Sequence, residues 1–393
     1  MRRLCAALLL VGCPKPQNGE PTSQTQTQVE VARKDVGTSP EEPHRPSSDP
    51  HVIVFADRTS QGYLLLVDDA HKETPTRADL QFLVRSKLGA KADEPELQLL
   101  LDLIDTQPAD TRMPGPDQPT DGRPRATRDL LGLHIEVLPM HGESELVSTS
   151  LLTDPVLTRE LSPEERSSLA KRRQALLLRA DYRNQYAVRG LRLLQTLVRI
   201  VANDRKALVH DPDTGETMGV EAFTRRRLLS SLGNVADQIA VVPFPDPRHG
   251  EGFLRLSTRG MRRFGSVDVE LDGLPRDPEV LQRATDLMYG LAYQLVRLGE
   301  FDTSGYAVEL DEVVDVEHAD IVQAYGSRGG QVPPACKDCP GSTTVHLVER
   351  PAEPHDPSEH VVARVVAPRE ESDAAGYDHK KWALEAVASI FGK

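Results

Sequence analysis

Residues 14–49 have almost nothing to bury. They are rich in Pro, Ser, Thr, Gln and Glu and include the low-complexity run Gln24-Thr25-Gln26-Thr27-Gln28. A segment of this composition cannot offset the entropy of ordering itself, so it is expected to be a flexible tether. As a random coil it would reach roughly 30–35 Å on average. Folding is thereby confined to the residues after about position 50, enough chain for one large or two ordinary domains.

Ahead of the tether, Arg2 and Arg3 precede nine mostly apolar residues, Leu4 to Gly12, and then Cys13. The apolar run is too short to span a bilayer, which needs about 20 residues. A positive start, a short apolar stretch and a small residue at its end form a secretory signal. Leu10-Val11-Gly12-Cys13 resembles the lipobox of bacterial prolipoproteins. The resemblance covers only this start. It implies removal of residues 1–12 and several acyl chains on Cys13, whose methylenes each contribute about 0.8 kcal/mol when buried in lipid. Residues 13–49 would then be a lipidated tether and the lipid bilayer the first partner. Pro14 stands where such proteins often carry the Asp that retains them at an inner membrane, so the resemblance favours an outer-membrane, periplasmic or surface-facing location.

The formal net charge is −13, and removing Arg2 and Arg3 would take it to −15. An acidic chain is a poor general partner for nucleic acid, whose binding is dominated by phosphate neutralisation. Residues 159–206 run against this trend, with twelve Lys/Arg and five Asp/Glu. Without stacking aromatics beyond Tyr182 and Tyr186, that excess reads as a solvated face pairing with acids of the same chain rather than a nucleic-acid site.

Aromatic residues make up only 4% of the chain, so the core is expected to be built from Leu, Val and Ala. His51–Phe55 and Gly62–Val67 read as strands. Thr76 caps a helix carrying Leu80, Leu83, Val84 and Leu88, which Gly89 closes, and Glu94–Ile104 is a second helix. The Pro- and Gly-rich stretch 105–128 is a loop or boundary, and Leu131–Leu138 a strand. Ser162-Pro163-Glu164-Glu165 starts a helical region expected to run, broken or continuous, to about Ala202. Strands follow at 207–209, 239–244, 253–257 and 267–271. Asp277 caps a helix to about Leu298, strands recur at 306–316, 343–348 and 361–366, and residues 382–391 close the chain as a helix. Without a regular βαβ rhythm, the expected class is α+β: mixed or antiparallel strands packed with amphipathic helices. The expected division is a small subdomain at 50–140 and a main domain at 150–393.

Cys336-Lys337-Asp338-Cys339 is the one cysteine pair left once Cys5 is removed and Cys13 acylated. Outside the cytoplasm its default is a disulfide. The alternatives are a redox pair, for which the flanking prolines offer no helix start, and a metal half-site completed by two of His346, His355 and His360. The segment 258–265 carries Arg259, Arg262 and Arg263 between glycines and is a possible anion site. Alternatively, its glycines permit positive φ and its arginines pair with nearby acids. Asp211-Pro212-Asp213-Thr214-Gly215 fails the calcium-loop pattern at its later positions and reads as a turn. Asp315, Glu317, His318 and Asp320 read as solvated loop acids. The segment 258–265 and the Asp211 turn resemble stretches of uncharacterised bacterial envelope proteins, which implies no activity. No catalytic residue, metal ligand or cofactor is predicted. The functional expectation is a membrane-anchored envelope lipoprotein that binds or scaffolds, with another envelope protein as the candidate partner; the alternative is a periplasmic redox or metal-binding protein using Cys336 and Cys339.

Overall fold

The computed structural model describes residues 49–56, 58–68, 73–107, 130–140, 146–228, 234–301, 309–310, 313–353, 356 and 361–392. The expected signal at 1–12, Cys13, the tether up to residue 48 and most of the loop at 105–128 lie outside them.

Two sheets carry the fold, which is α+β as the pattern predicts. The first has five antiparallel strands: β2 (Arg58–Val67), β3 (Leu130–Pro139), β4 (Gln174–Arg183), β5 (Leu208–His210) and β6 (Thr217–Met218), in the order β3-β4-β2-β5-β6. The second has six: β7 (Ala240–Pro245), β8 (Phe253–Arg259), β9 (Asp268–Pro275), β11 (Val314–Glu317), β12 (Ser342–Arg350) and β13 (Val362–Val366), in the order β11-β12-β13-β9-β8-β7. Only the β13–β9 pairing is parallel. A short pair, β1 (Ile53–Val54) and β10 (Glu309–Leu310), completes the described strands.

The apolar run in β2 is explained by burial on both faces. Alternation sends Tyr63, Leu65 and Val67 into the main core and Leu64 and Leu66 into a second cluster with Met140, Val147, Leu161 and Leu208. Five longer helices supply the other layer: α1 (Arg77–Leu88), α2 (Pro95–Asp105), α3 (Ala187–Asp204), α4 (Pro278–Phe301) and α5 (His379–Phe391). Their starts are legible. Thr76 and Asp79 form a reciprocal capping box on α1, and the Asp277 carboxylate accepts from the amides of Glu279 and Val280 at α4.

One expectation needs correction. The helical region foreseen from 162 to 202 is interrupted by β4. Only Pro163–Ser168 and α3 are α-helical there, because residues 174–183 lie between β3 and β2 and hydrogen-bond to both. Segments on either side of residues 141–145 share a sheet and a core. β2 and β3 share a sheet with β4, β5 and β6, and one hydrophobic core runs from Tyr63 and Leu133 through Leu194 to Leu271 and Leu291.

Candidate functional site

The three arginines singled out in the sequence do not converge on a common cradle. Gly260 and Gly265 adopt positive φ on either side of a tight turn, Met261–Phe264, which rolls Arg263 into the interior. The Arg263 side chain is fully buried, and its Nη2 donates to Asp211 Oδ1 and Oδ2 at 3.0 and 3.1 Å and to Asp213 Oδ2 at 3.3 Å. Burial opposes its charge, yet the Asp211 and Asp213 carboxylates outweigh that and raise its pKa further. Arg262 pairs with Asp213 across the two turns. Arg259 turns away: it lies over the Phe244 ring at 5.1 Å, donates to Ser257 Oγ at 2.7 Å and faces Asp356 at 3.6 Å. The three guanidinium groups named as an anion site, those of Arg259, Arg262 and Arg263, are engaged by the protein's own acids and hydroxyls.

The Asp211 turn is the other half of this network. Gly215 takes a positive φ and donates to the Asp211 carbonyl at 2.8 Å, while the Asp213 amide donates to Asp211 Oδ1. Beyond closing the turn, Asp211 and Glu216 hold Arg227, which lies on the π-helical turn Thr224–Leu228 and is fully buried. Arg226 and Arg159 complete the surroundings of Glu216 at 2.8 and 3.1 Å. Of the basic residues at 159–206, Arg159 pairs with an acid of the same chain in this network.

Cys336 and Cys339 are joined in a disulfide within a turn, not at a helix start. The Cys336 amide donates to the Ile390 carbonyl and the Gly341 amide to Ser389, so this turn is fastened to the end of α5. Of the histidines considered as partners, His346 stacks on His51 with ring centroids 5.3 Å apart, and His355 and His360 lie outside the described residues. Asp320 caps the helix His318–Ala324, and His318 Nε2 contacts the Pro333 carbonyl at 2.7 Å. These groups have structural partners.

A cluster that the sequence did not reveal lies at one end of the second sheet. Asp246 follows β7, His249 sits in the β7–β8 turn, Asp272 is on β9 and His379 opens α5. Ligand atoms of Asp246, His249 and Asp272 all lie within 4.8 Å of one another. His249 Nε2 is 3.5 Å from Asp272 Oδ2 and 3.8 Å from Asp246 Oδ2. His379 Nε2 touches Asp272 Oδ1, and the two imidazoles stack at 5.8 Å.

The backbone makes room for this arrangement. β9 bulges against β8, because Leu254 faces Leu274 but Leu256 faces Leu271, so Asp272-Gly273 stands opposite Arg255 alone. Gly273 has φ of +74°, and a Cβ there would lie 3.0 Å from Lys380 Cγ and 3.5 Å from His249 Nε2. Its amide donates to Asp246 Oδ2 at 2.9 Å.

Arginines hold one oxygen of each carboxylate. Arg248 Nε donates to Asp246 Oδ1 at 3.1 Å, and Arg364 Nη2 donates to Asp272 Oδ2 at 2.8 Å. Burial alone would raise the Asp272 carboxyl; His379, then Arg364 and Arg248, outweigh it and hold the group well below the ordinary carboxylate range. Asp272 is therefore ionised at neutral pH.

Three other atoms are different. His249 Nε2, His379 Nε2 and Asp272 Oδ1 are buried without a hydrogen-bond partner; the His379–Asp272 contact is close but not aligned as a hydrogen bond. Asp272 Oδ1 and His379 Nε2 contact each other as an ion pair, whereas His249 Nε2 has no group closer than 3.5 Å among these residues; buried polar atoms are nearly always satisfied, so this one marks a place where something charged or polar fits.

The available sequence signal was the pair Asp246 and His249, three apart in a Pro/Gly-rich turn, together with acids at alternate positions of a buried strand, Asp268, Glu270 and Asp272. Neither signal identifies His379, more than a hundred residues away. Comparison of the chain with models of protein families, with curated proteins and with solved structures finds no match.

Proposed function

We propose that the chain is a lipid-anchored protein of the bacterial cell envelope whose folded part acts through binding. The observation that carries this reading is the start of the chain: two arginines, a short apolar run and Leu10-Val11-Gly12-Cys13, followed by a polar segment able to hold a folded body away from a membrane. The disulfide between Cys336 and Cys339 supports it, because such bonds persist in oxidising compartments outside the cytosol. In this reading acyl chains on Cys13 hold the acidic body at the bilayer, and another envelope protein or a small ligand is bound by the surface so presented.

The test is to express the full chain and its Cys13→Ser variant in a bacterium with radiolabelled palmitate and fractionate the cells. Label on the wild type alone, with loss of the variant from the membrane fraction, is the expected result. Equal membrane recovery of both proteins, or an unprocessed N-terminus in the cytosol, overturns the proposal.

A further inference from the structure

We propose that Asp246, His249, Asp272 and His379 form a binding site for one first-row divalent cation of the zinc type. The site does not depend on the lipid anchor and goes beyond it. Two imidazole nitrogens and two carboxylate oxygens suit such an ion, since imidazole selects zinc and its neighbours over magnesium or calcium.

The distances from His249 agree. Around a tetrahedral ion with bonds of roughly 2.0–2.2 Å, neighbouring ligand atoms stand roughly 3.3–3.6 Å apart. His249 Nε2 lies 3.5 and 3.8 Å from the Asp272 and Asp246 oxygens, close to such edges. The His379–Asp272 contact is shorter, and His379 stands outside the three residues whose ligand atoms are mutually within 4.8 Å, so its Nε2 would have to draw back from Asp272 to join them around a cation.

The independent pointer is orphaned polarity. The Asp272 side chain is 0% exposed and that of His379 is 9% exposed, yet Asp272 Oδ1 and His379 Nε2, an ion pair, have no hydrogen-bond partner. His249 Nε2 is also an orphan, while its side chain is 18% exposed and borders solvent, which supplies an entry path.

The groups behind the ligands are arranged as a metal site needs. His379 Nδ1 contacts Tyr377 Oη at 2.9 Å, and Tyr377 Oη also accepts from the Ala367 amide. With Nδ1–H donating to the hydroxyl, Nε2 presents its lone pair inward. Arg248 orients Asp246 from its far oxygen, while Arg364 and Arg248 reach Asp272 Oδ2 at 2.8 and 3.3 Å, the oxygen that His249 faces, so a cation there would share it with them and their charge lowers affinity. Arg248 is also shared with Glu270 at 2.9 Å. Gly273 is required beside the site, because any side chain there would meet Lys380 and His249 on a positive-φ backbone.

The test uses the purified full chain in non-reducing buffer, stripped with a chelator and titrated with zinc(II) by calorimetry and with cobalt(II) by visible absorption. One equivalent of zinc is expected to bind, and cobalt is expected to give ligand-field bands without thiolate charge transfer that zinc abolishes. His249→Gln and His379→Gln should each weaken binding by about tenfold or more, while His134→Gln on the other sheet leaves it unchanged. His249 is at the rim, so His249→Gln decides the matter if His379→Gln fails to fold; far-UV circular dichroism and the melting temperature report folding. Absence of stoichiometric binding, thiolate bands, or wild-type affinity in a folded His249→Gln protein overturns the proposal.

Discussion

Replacing Arg263 by methionine removes the central cation of a buried network and keeps most of its volume. In the wild type, Arg263 Nη2 reaches both oxygens of Asp211 and one of Asp213, its Nε donates to the Gly260 carbonyl at 3.0 Å, and Nη1 contacts Tyr63 Oη at 3.4 Å. Without it, Asp211 keeps Arg227 at 3.2 Å and Asp213 keeps Arg262, so each buried carboxylate retains part of its compensation. Breaking a buried pair from one side costs about 3–5 kcal/mol, mostly because a charge is left without a partner. At about 2.1 cal/mol/K per residue over roughly 340 residues, the unfolding entropy is about 0.7 kcal/mol/K, so the melting temperature should fall by about 4–7 °C. The assay is thermal and urea unfolding of the purified full chain followed by circular dichroism, for Arg263→Met, Asp211→Asn and the double variant. If the loss arises from an orphaned carboxylate, the double variant should be more stable than the sum of the single losses by about 1–3 kcal/mol. A loss below about 1 kcal/mol in Arg263→Met, or strictly additive effects, refutes the reasoning.

Gly190→Ala, inside α3, should gain about 1 kcal/mol in helix propensity. It should nevertheless destabilise the protein by about 1–2 kcal/mol net of that gain, because the added Cβ would lie 2.4 Å from Tyr182 Cγ in the core; a raised urea midpoint would show that the helix shifts to accommodate it. His210 is buried beside Thr217 Oγ1 at 2.9 Å, and burial, only partly offset by Asp211, lowers its pKa to about 4. Above pH 6.5 both folded and unfolded states hold a neutral imidazole; as pH falls toward 4 the unfolded chain takes up a proton that the fold refuses. This linkage should remove up to about 3 kcal/mol across that window, and His210→Gln should flatten that part of the stability–pH curve in urea titrations. Cys339→Ser should cost about 2 kcal/mol, since the disulfide closes only a four-residue loop; comparing unfolding with and without reductant checks that the wild type loses the same amount when reduced.

Local chemistry made much of the secondary structure legible. Thr76, Ser162-Pro163 and Asp277-Pro278 announce helix starts because an unpaired amide end needs an acceptor close in sequence. Strand positions at 62–67, 131–138, 253–257 and 361–366 follow from apolar alternation and turn residues, and the Asp211 turn from its own side-chain bonds. The strand β4 was not legible: Leu176, Leu177 and Leu178 followed by Arg-Ala-Asp-Tyr-Arg suits either structure locally, and only pairing with both β2 and β3 decides.

Tertiary structure alone decided which charges lie inside. Arg227, Arg263 and Asp272 are strongly polar residue types whose composition predicts exposure, and their burial depends on partners brought from distant parts of the chain. The Asp246–His249–Asp272–His379 cluster arises in the same way. A turn, a bulged strand and a helix start meet only because β7, β8 and β9 are neighbours and α5 packs on that sheet. Sequence patterns report interactions between residues a few positions apart; a site assembled from three separate elements depends on packing, which those patterns do not encode.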